Sequence, residues 1–202
     1  MELEDMISAV QKKLGVQVDG RAGTETWGAI YAHIVKPTIH GAPPAEAIEA
    51  VDARSEKKIA TLLPEVQPNA RALVQKAAQN GIQIKIISGL RSYAEQDELY
   101  AQGRTQPGRI VTKVRGGYSN HNFGIAFDVG IFEGTKYLSE SDKYKAVGAL
   151  GMDLGFEWGG NWKTFVDQPH FQLRPRWAMD ITESEMLAEF RERKEDGTPL
   201  YA

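Results

Sequence analysis

Four side chains in this sequence have the types and spacing to do chemistry together. His121 sits in a polar, glycine-punctuated turn, and Asp128 follows seven residues later inside an otherwise apolar run, SNHNFGIAFDVG. A buried carboxylate needs an ion pair, hydrogen bonds or a cation to offset its desolvation. Far along the chain, FVDQPHFQL supplies Asp167 and His170. Cysteine is absent, so a metal would have to be held by His, Asp or Glu. Two histidines and one carboxylate (His121, Asp128, His170) make a first shell for a catalytic zinc that keeps a position for water. Asp167, three residues before a ligand, is placed to act as general base on that water. Spacing alone leaves a second reading open, in which each is a hydrogen-bonded structural group.

The elements that must position these groups can be read from hydrophobic period and turn signals. Residues 124–130 alternate as a strand, with Ile125, Phe127 and Val129 on one face and Ala126, Asp128 and Gly130 on the other. The small residues on the Asp128 face leave room beside it. FVDQPHFQL reads as a further strand, in which alternation separates Asp167 from His170 unless the chain bends at Pro169. Upstream, a helix through ARALVQKAAQN ends at Gly81 and IQIKIISG forms a strand with Ile82, Ile84 and Ile86 on one face. A short helix opens at Ser92 or Tyr93. Residues 103–120 form a long loop carrying Arg104, Arg109, Lys113 and Arg115 and no acidic residue, able to steer an anionic polymer or simply to be solvated. YKAVGALGMDLG forms another helix, Trp158 and Trp162 flank a glycine-rich turn, and Thr182 with Glu185 makes a capping box for ESEMLAEFRERK. The tryptophans either floor a sugar or peptide groove or belong to the core. Helices alternating with short-turned strands predict an α+β domain with a small, mostly antiparallel sheet and flanking helices.

The 202 residues, 42% hydrophobic, suffice for one domain and a small appendage, and a net charge of −3 gives no global case for nucleic acid. Residues 1–36 read as a helical segment, with Met6, Ile7, Val10 and Leu14 at helical spacing and a second helix carrying Trp27, Ile30, Ile34 and Val35. Residues 37–50, with Pro37, Gly41, Pro43 and Pro44, read as a linker, and the main domain covers 51–202. His33 and His40, with no carboxylate at ligand spacing, read as solvated or structural. No basic leader or long apolar span is visible, so the expectation is synthesis in the cytoplasm without a membrane anchor.

Taken together, these stretches resemble the VanY and D-alanyl-D-alanine carboxypeptidase group of zinc peptidases. Its motif S-x-H-x-x-G-x-A-x-D is met by Ser119, His121, Gly124, Ala126 and Asp128, and its second motif by Asp167 and His170 in DQPH. Within the group the likeness runs to the L-alanyl-D-glutamate endopeptidases of phage lysins and bacilli, through RSEKKIATLLPEV, SGLRSYAEQDELYAQGR, SNHNFGIAFDVGIF and FEWGGNWKTFVDQPHFQL, over about residues 51–175. The resemblance implies a fold of the hedgehog and DD-peptidase type, Zn2+ as cofactor and peptidoglycan as partner. It makes His121, Asp128 and His170 the ligands, Asp167 the base and Arg91 the group that binds the scissile carbonyl oxygen, with Ser119, Trp158 and Trp162 as substrate contacts. The expected activity is hydrolysis of the L-Ala–D-Glu bond of the stem peptide, at the cell wall after release, by a monomer without nucleic-acid partners. The alternatives are a D-Ala-D-Ala carboxypeptidase of the same fold and a non-catalytic wall-binding protein. AVQKKLGVQVDGRAGTETWGAI resembles the small helical peptidoglycan-binding domain, with Asp19, Gly20, Gly23 and Thr26 matching its turn.

Overall fold

A computed structural model describes residues 2–23, 25–27, 29–30 and 51–202. The linker reading at 37–50, and His33, Ile34, Val35 and His40, lie outside the described residues. The chain divides into two compact units, Met1–Gly41 and Ala42–Ala202.

In the first unit, α1 (Leu3–Leu14) ends on Gly15, whose φ of 68° is the left-handed conformation that closes a helix without a Cβ clash. The expected apolar stripe is not what is buried: Met6 and Val10 are exposed, and the buried residue of α1 is Gln11. Its amide donates to Asp19 Oδ1 (2.7 Å), the Arg21 carbonyl and Thr26 Oγ1 (both 2.9 Å). Its carbonyl accepts from the backbone N–H groups of Asp19 and Gly20. One side chain thus holds the whole DGRAG turn, which an apolar residue at this position could not do.

In the second unit, α2 (Ala53–Ile59) is capped by Asp52, whose carboxylate accepts from the Arg54 and Ser55 N–H groups at 3.1 Å. The helix α3 (Gln67–Gln79) follows, then β1 (Gln83–Ser88), α4 (Tyr93–Ala101), a 3₁₀ turn at Asn120–Phe123, β2 (Ala126–Glu133), β3 (Lys136–Leu138), α5 (Lys143–Asp153), β4 (Glu157–Trp158), β5 (His170–Gln172) and α6 (Glu183–Asp196). The sheet runs β1-β2-β5-β4, with β3 hairpinned onto β2, and every ladder is antiparallel. The α+β architecture expected from the sequence is the one observed.

Two apolar clusters lie against this sheet. Ile84, Ile86, Phe127, Val129, Ile131 and Phe171 join Leu73 and Ala77 of α3 and Tyr144 and Val147 of α5 in the larger. Phe123 and Ile125 join Met186, Leu187 and Phe190 of α6 in the smaller. Burial of such side chains is the main stabilising term, about 1.5–3 kcal/mol each. The close approach of α5 depends on Gly151, where any Cβ would overlap the Phe171 ring. Phe171 in turn stacks on Phe127 across the β2–β5 pair, at 5.7 Å between centroids. The packing that sets β5 against β2 therefore lies on the sheet face opposite His170.

Candidate active site

Strand register brings the chemistry together. Asp128 on β2 pairs with His170 on β5 and, across an irregularity after Ile86, with Ser88 at the end of β1. Ser88, Asp128 and His170 therefore form a row across the sheet. His121 is delivered by the 3₁₀ turn before β2, which ends on Gly124 at φ 71°. Asn122 ties that turn to the loop after β1. Its Oδ1 accepts from the Gly117 and Ser119 N–H groups, and its Nδ2 donates to the Arg91 and Ser92 carbonyls. The Arg91 N–H donates to the His121 carbonyl at 2.9 Å.

Three inward-facing atoms result: His121 Nε2, His170 Nδ1 and Asp128 Oδ1. Each pair is 3.3 Å apart. A tetrahedral ion with ligand bonds of about 2.0–2.1 Å requires donor–donor edges of about 3.3–3.4 Å, so the triangle has the dimensions of one face of such a site. The outer ring atoms agree. His121 Nδ1 lies 2.9 Å from the Gly89 carbonyl and His170 Nε2 lies 3.0 Å from Gln172 Oε1, both acceptors. Each outer nitrogen therefore carries the proton and each inner nitrogen presents a lone pair. Two lone pairs and a carboxylate at this separation repel unless a cation or protons lie between them. Among the described residues, these three are the group with metal-holding geometry.

Protonation tendencies follow from the same packing. Burial opposes ionisation of Asp128, but the imidazoles of His121 and His170 outweigh it and hold the carboxyl well below the usual range. Burial, and then the nearby charge of Asp128, hold Asp167 above the usual carboxylate range. A carboxylate with raised proton affinity beside a metal-binding triangle suits a base.

Asp167 reaches the site by a route other than strand alternation. The strand expected over 165–173 is confined to His170–Gln172. Phe165 has φ 59°, which is not extended backbone, and a turn at 168–169 precedes β5. The Asp167 N–H donates to the Gly159 carbonyl at 3.0 Å, and its own carbonyl accepts from the His170 N–H at 3.2 Å. A Cβ at Gly159 would stand 2.5 Å from the Asp167 carbonyl oxygen, so this approach requires glycine.

Arg91 is held by two hydrogen bonds, Nη1 to Gln96 Oε1 at 2.7 Å and Nη2 to Ser88 Oγ at 3.2 Å, with Asp128 Oδ2 3.9 Å from Nη2. Gln96 is fully buried and donates in turn to Thr112 and to the Val114 carbonyl of the basic loop. Arg104 and Arg115 of that loop both lie over the Tyr100 ring, and Lys113 lies 5.0 Å from the Phe165 ring. Trp162 is half-buried and packs on the His170 ring at 4.9 Å. Trp158 is a correction: it sits in the core with its indole N–H donated to the Gln168 carbonyl, so it supports the loop before His170 and does not floor a groove. Ser119 is half-buried in the turn, its N–H bonded to Asn122.

Reading the sequence for ionisable groups passes over the amides Gln96, Asn122 and Gln172. One signal was available: Gln172 lies two residues from His170 in a strand and so shares its face.

The comparisons agree with this geometry. A family profile described as D-alanyl-D-alanine carboxypeptidase matches residues 112–173, which hold all three triangle residues and Asp167. The peptidoglycan L-alanyl-D-glutamate endopeptidase CwlK of Bacillus subtilis is 44% identical over 126 residues, covering 56% of this chain and 74% of CwlK. The chain belongs to the VanY-type peptidase family. The L-alanyl-D-glutamate peptidase of Listeria phage A118 is 32% identical to this VanY-type peptidase over 124 residues, which are 60% of this chain and 41% of the phage protein. Among solved structures, the Serratia marcescens L-Ala D-Glu endopeptidase ChiX aligns with a TM-score of 0.49 and 29% identity, over 64% of this chain and 94% of that one. No helix among the described residues of the VanY-type peptidase is long and apolar enough to cross a membrane.

Proposed function

We propose that this peptidase is a zinc enzyme that cleaves the L-Ala–D-Glu bond of peptidoglycan stem peptides at the cell wall. The observation that carries the chemistry is the 3.3 Å triangle of His121 Nε2, His170 Nδ1 and Asp128 Oδ1, with Asp167 held beside it. The choice of bond is supported by the 44% identity to CwlK.

His121, Asp128 and His170 would hold the zinc. When bound, it polarises the scissile carbonyl and lowers the pKa of a water. Asp167 takes a proton from that water as its oxygen bonds to the carbonyl carbon. The same proton then passes to the amide nitrogen as the C–N bond breaks, releasing the amine of D-Glu and the carboxyl group of L-Ala, which ionises by giving water's second proton to the amine or to solvent. Arg91, its guanidinium aimed by Gln96 and Ser88, donates to the carbonyl oxygen as negative charge develops there. Trp162 packs on the His170 ring.

Digestion of purified peptidoglycan with mass analysis of the products tests the reading. The expected products are stem peptides beginning at D-Glu, abolished by chelator and restored by zinc. Loss of a single C-terminal alanine would assign the site to a D-Ala-D-Ala carboxypeptidase, the activity in the description of the matching family profile. No product with either bond would leave a wall-binding protein.

A further inference from the structure

Behind His170, on the side away from the triangle, lies a polar cluster that the reaction does not use, buried at Gln172 and Asn120 and part-exposed at Glu157 and Glu183. Gln172 is 1% exposed. Its Nε2 donates to Glu157 Oε2 at 2.6 Å and lies 3.4 Å from both carboxylate oxygens of Glu183. Its Oε1 accepts from His170 Nε2 at 3.0 Å and from Asn120 Nδ2 at 2.6 Å. Arg174 ties the two carboxylates together, bonding Glu157 and Glu183 at 2.6 Å each. Asn120 Nδ2 also reaches Glu183, which leaves Asn120 Oδ1 as the one buried side-chain polar atom without a partner among the described residues.

The chemistry of this cluster has a direction. Carboxylates only accept, so Glu157 and Glu183 fix which end of the Gln172 amide faces them, and its carbonyl must then face His170. An amide free to flip would present NH₂ to His170 Nε2 about as readily, moving the ring proton to Nδ1 and removing the inward lone pair. Asn120 reinforces the same choice by setting a second donor on Gln172 Oε1 at the expense of its own carbonyl.

We propose that Gln172 is the positioning residue for His170, and that the Glu157–Arg174–Glu183 ion cluster keeps its amide from flipping. Three elements meet there: β4 supplies Glu157, the segment after β5 supplies Arg174, and the first turn of α6 supplies Glu183. The role of α6 then extends beyond packing to setting a ligand's tautomer. Placing the charges one amide away from the imidazole fixes its orientation without setting a full carboxylate against it. The inference rests on the zinc reading, since its consequence is a metal-ready Nδ1.

The test uses the full chain loaded with zinc. Long-range ¹H–¹⁵N correlation spectra read the ring tautomers, and competition with a chromophoric chelator reads zinc affinity. In the wild type His170 is expected as the Nε2–H form and His121 as the opposite Nδ1–H form. Gln172→Met, of similar volume, is expected to lose the single His170 tautomer and to weaken zinc binding by about 10- to 100-fold, the usual effect of removing a partner behind a ligand. The double variant Gln172→Glu with Glu157→Gln, in which donor and acceptor trade places across the 2.6 Å contact, is expected to recover the tautomer and most of the affinity. A merely structural cluster would not respond in this way. A folded Gln172→Met that keeps the Nε2–H form and wild-type affinity overturns the proposal. If that variant does not fold, Glu157→Gln with Glu183→Gln, which removes both carboxylates facing the amide, carries the test, and an unchanged tautomer and affinity there overturn it equally. Should the wild type take no zinc, the metal reading falls. The positioning claim is then read from the metal-free ring, whose tautomer must still be lost in Gln172→Met.

Discussion

At the scale of single residues, Asp167 and Arg91 differ in what they can lose without disturbing the metal triangle. Asp167 contributes neither a ligand atom nor a hydrogen bond to the three ligands' side chains, so Asp167→Asn is expected to keep stoichiometric zinc. Without a base for the water, kcat is expected to fall by about 10²–10⁴-fold; near-normal turnover would remove Asp167 from the role. Arg91 is a planar fork with Gln96 on one prong and Ser88 on the other, a geometry a lysine ammonium cannot reproduce. Arg91→Lys is therefore expected to behave almost like Arg91→Ala, lowering kcat by about 10²–10³-fold with a smaller change in KM. A lysine variant with wild-type kcat would mean that only charge is needed. The residues legible in the sequence were those with ionisable side chains at motif spacing. Gln96, Asn122 and Gln172 carry no charge and have no pattern of their own. Their importance comes from burial and amide orientation, which only the packed structure displays.

At the scale of elements, helix caps and hydrophobic period were readable and the last strand was not. FVDQPHFQL alternates like a strand over nine residues, but Phe165 in the left-handed region and the turn before His170 leave three residues in the sheet. The irregular stretch brings Asp167 into the site, and a longer strand would have turned it away. Local rules yield where a side chain must be aimed. The Asp52 cap of α2 obeys those rules and makes a testable case. Burial alone would raise its pKa, but hydrogen bonds from Ser55 and the N–H groups of Ser55 and Arg54 bring the carboxyl below its ordinary 3.8. A depressed folded pKa means stability that is present above the unfolded value and lost as pH falls through the folded one. Asp52→Ala is expected to cost about 1 kcal/mol in urea melts at neutral pH. The difference from wild type should narrow as pH drops below 3.8. A gap that stays constant into acid would show that the carboxylate cap is not its source.

At the scale of the whole molecule, the chemistry is confined to one unit. Every residue of the triangle, the base, the Arg91 clamp and the cluster behind His170 lies between Ser88 and Glu183, within the unit Ala42–Ala202. The first unit has its own logic, a turn organised by the buried Gln11 with Trp27 60% exposed. An exposed indole beside a DGRAG turn is suited to stacking on a sugar or peptide face, and from the sequence resemblance to peptidoglycan-binding domains we propose the cell wall as its occupant. A fragment of residues 51–202 is therefore expected to fold, to hold zinc and to cleave a soluble muropeptide with the kcat/KM of the full chain. The same fragment should sediment poorly with purified sacculi, and Trp27→Ala in the full chain should reproduce that weaker sedimentation with soluble turnover intact. If the fragment loses activity on the soluble substrate, the first unit is a packing partner of the catalytic unit. If fragment and full chain sediment alike, wall capture belongs to the catalytic unit alone.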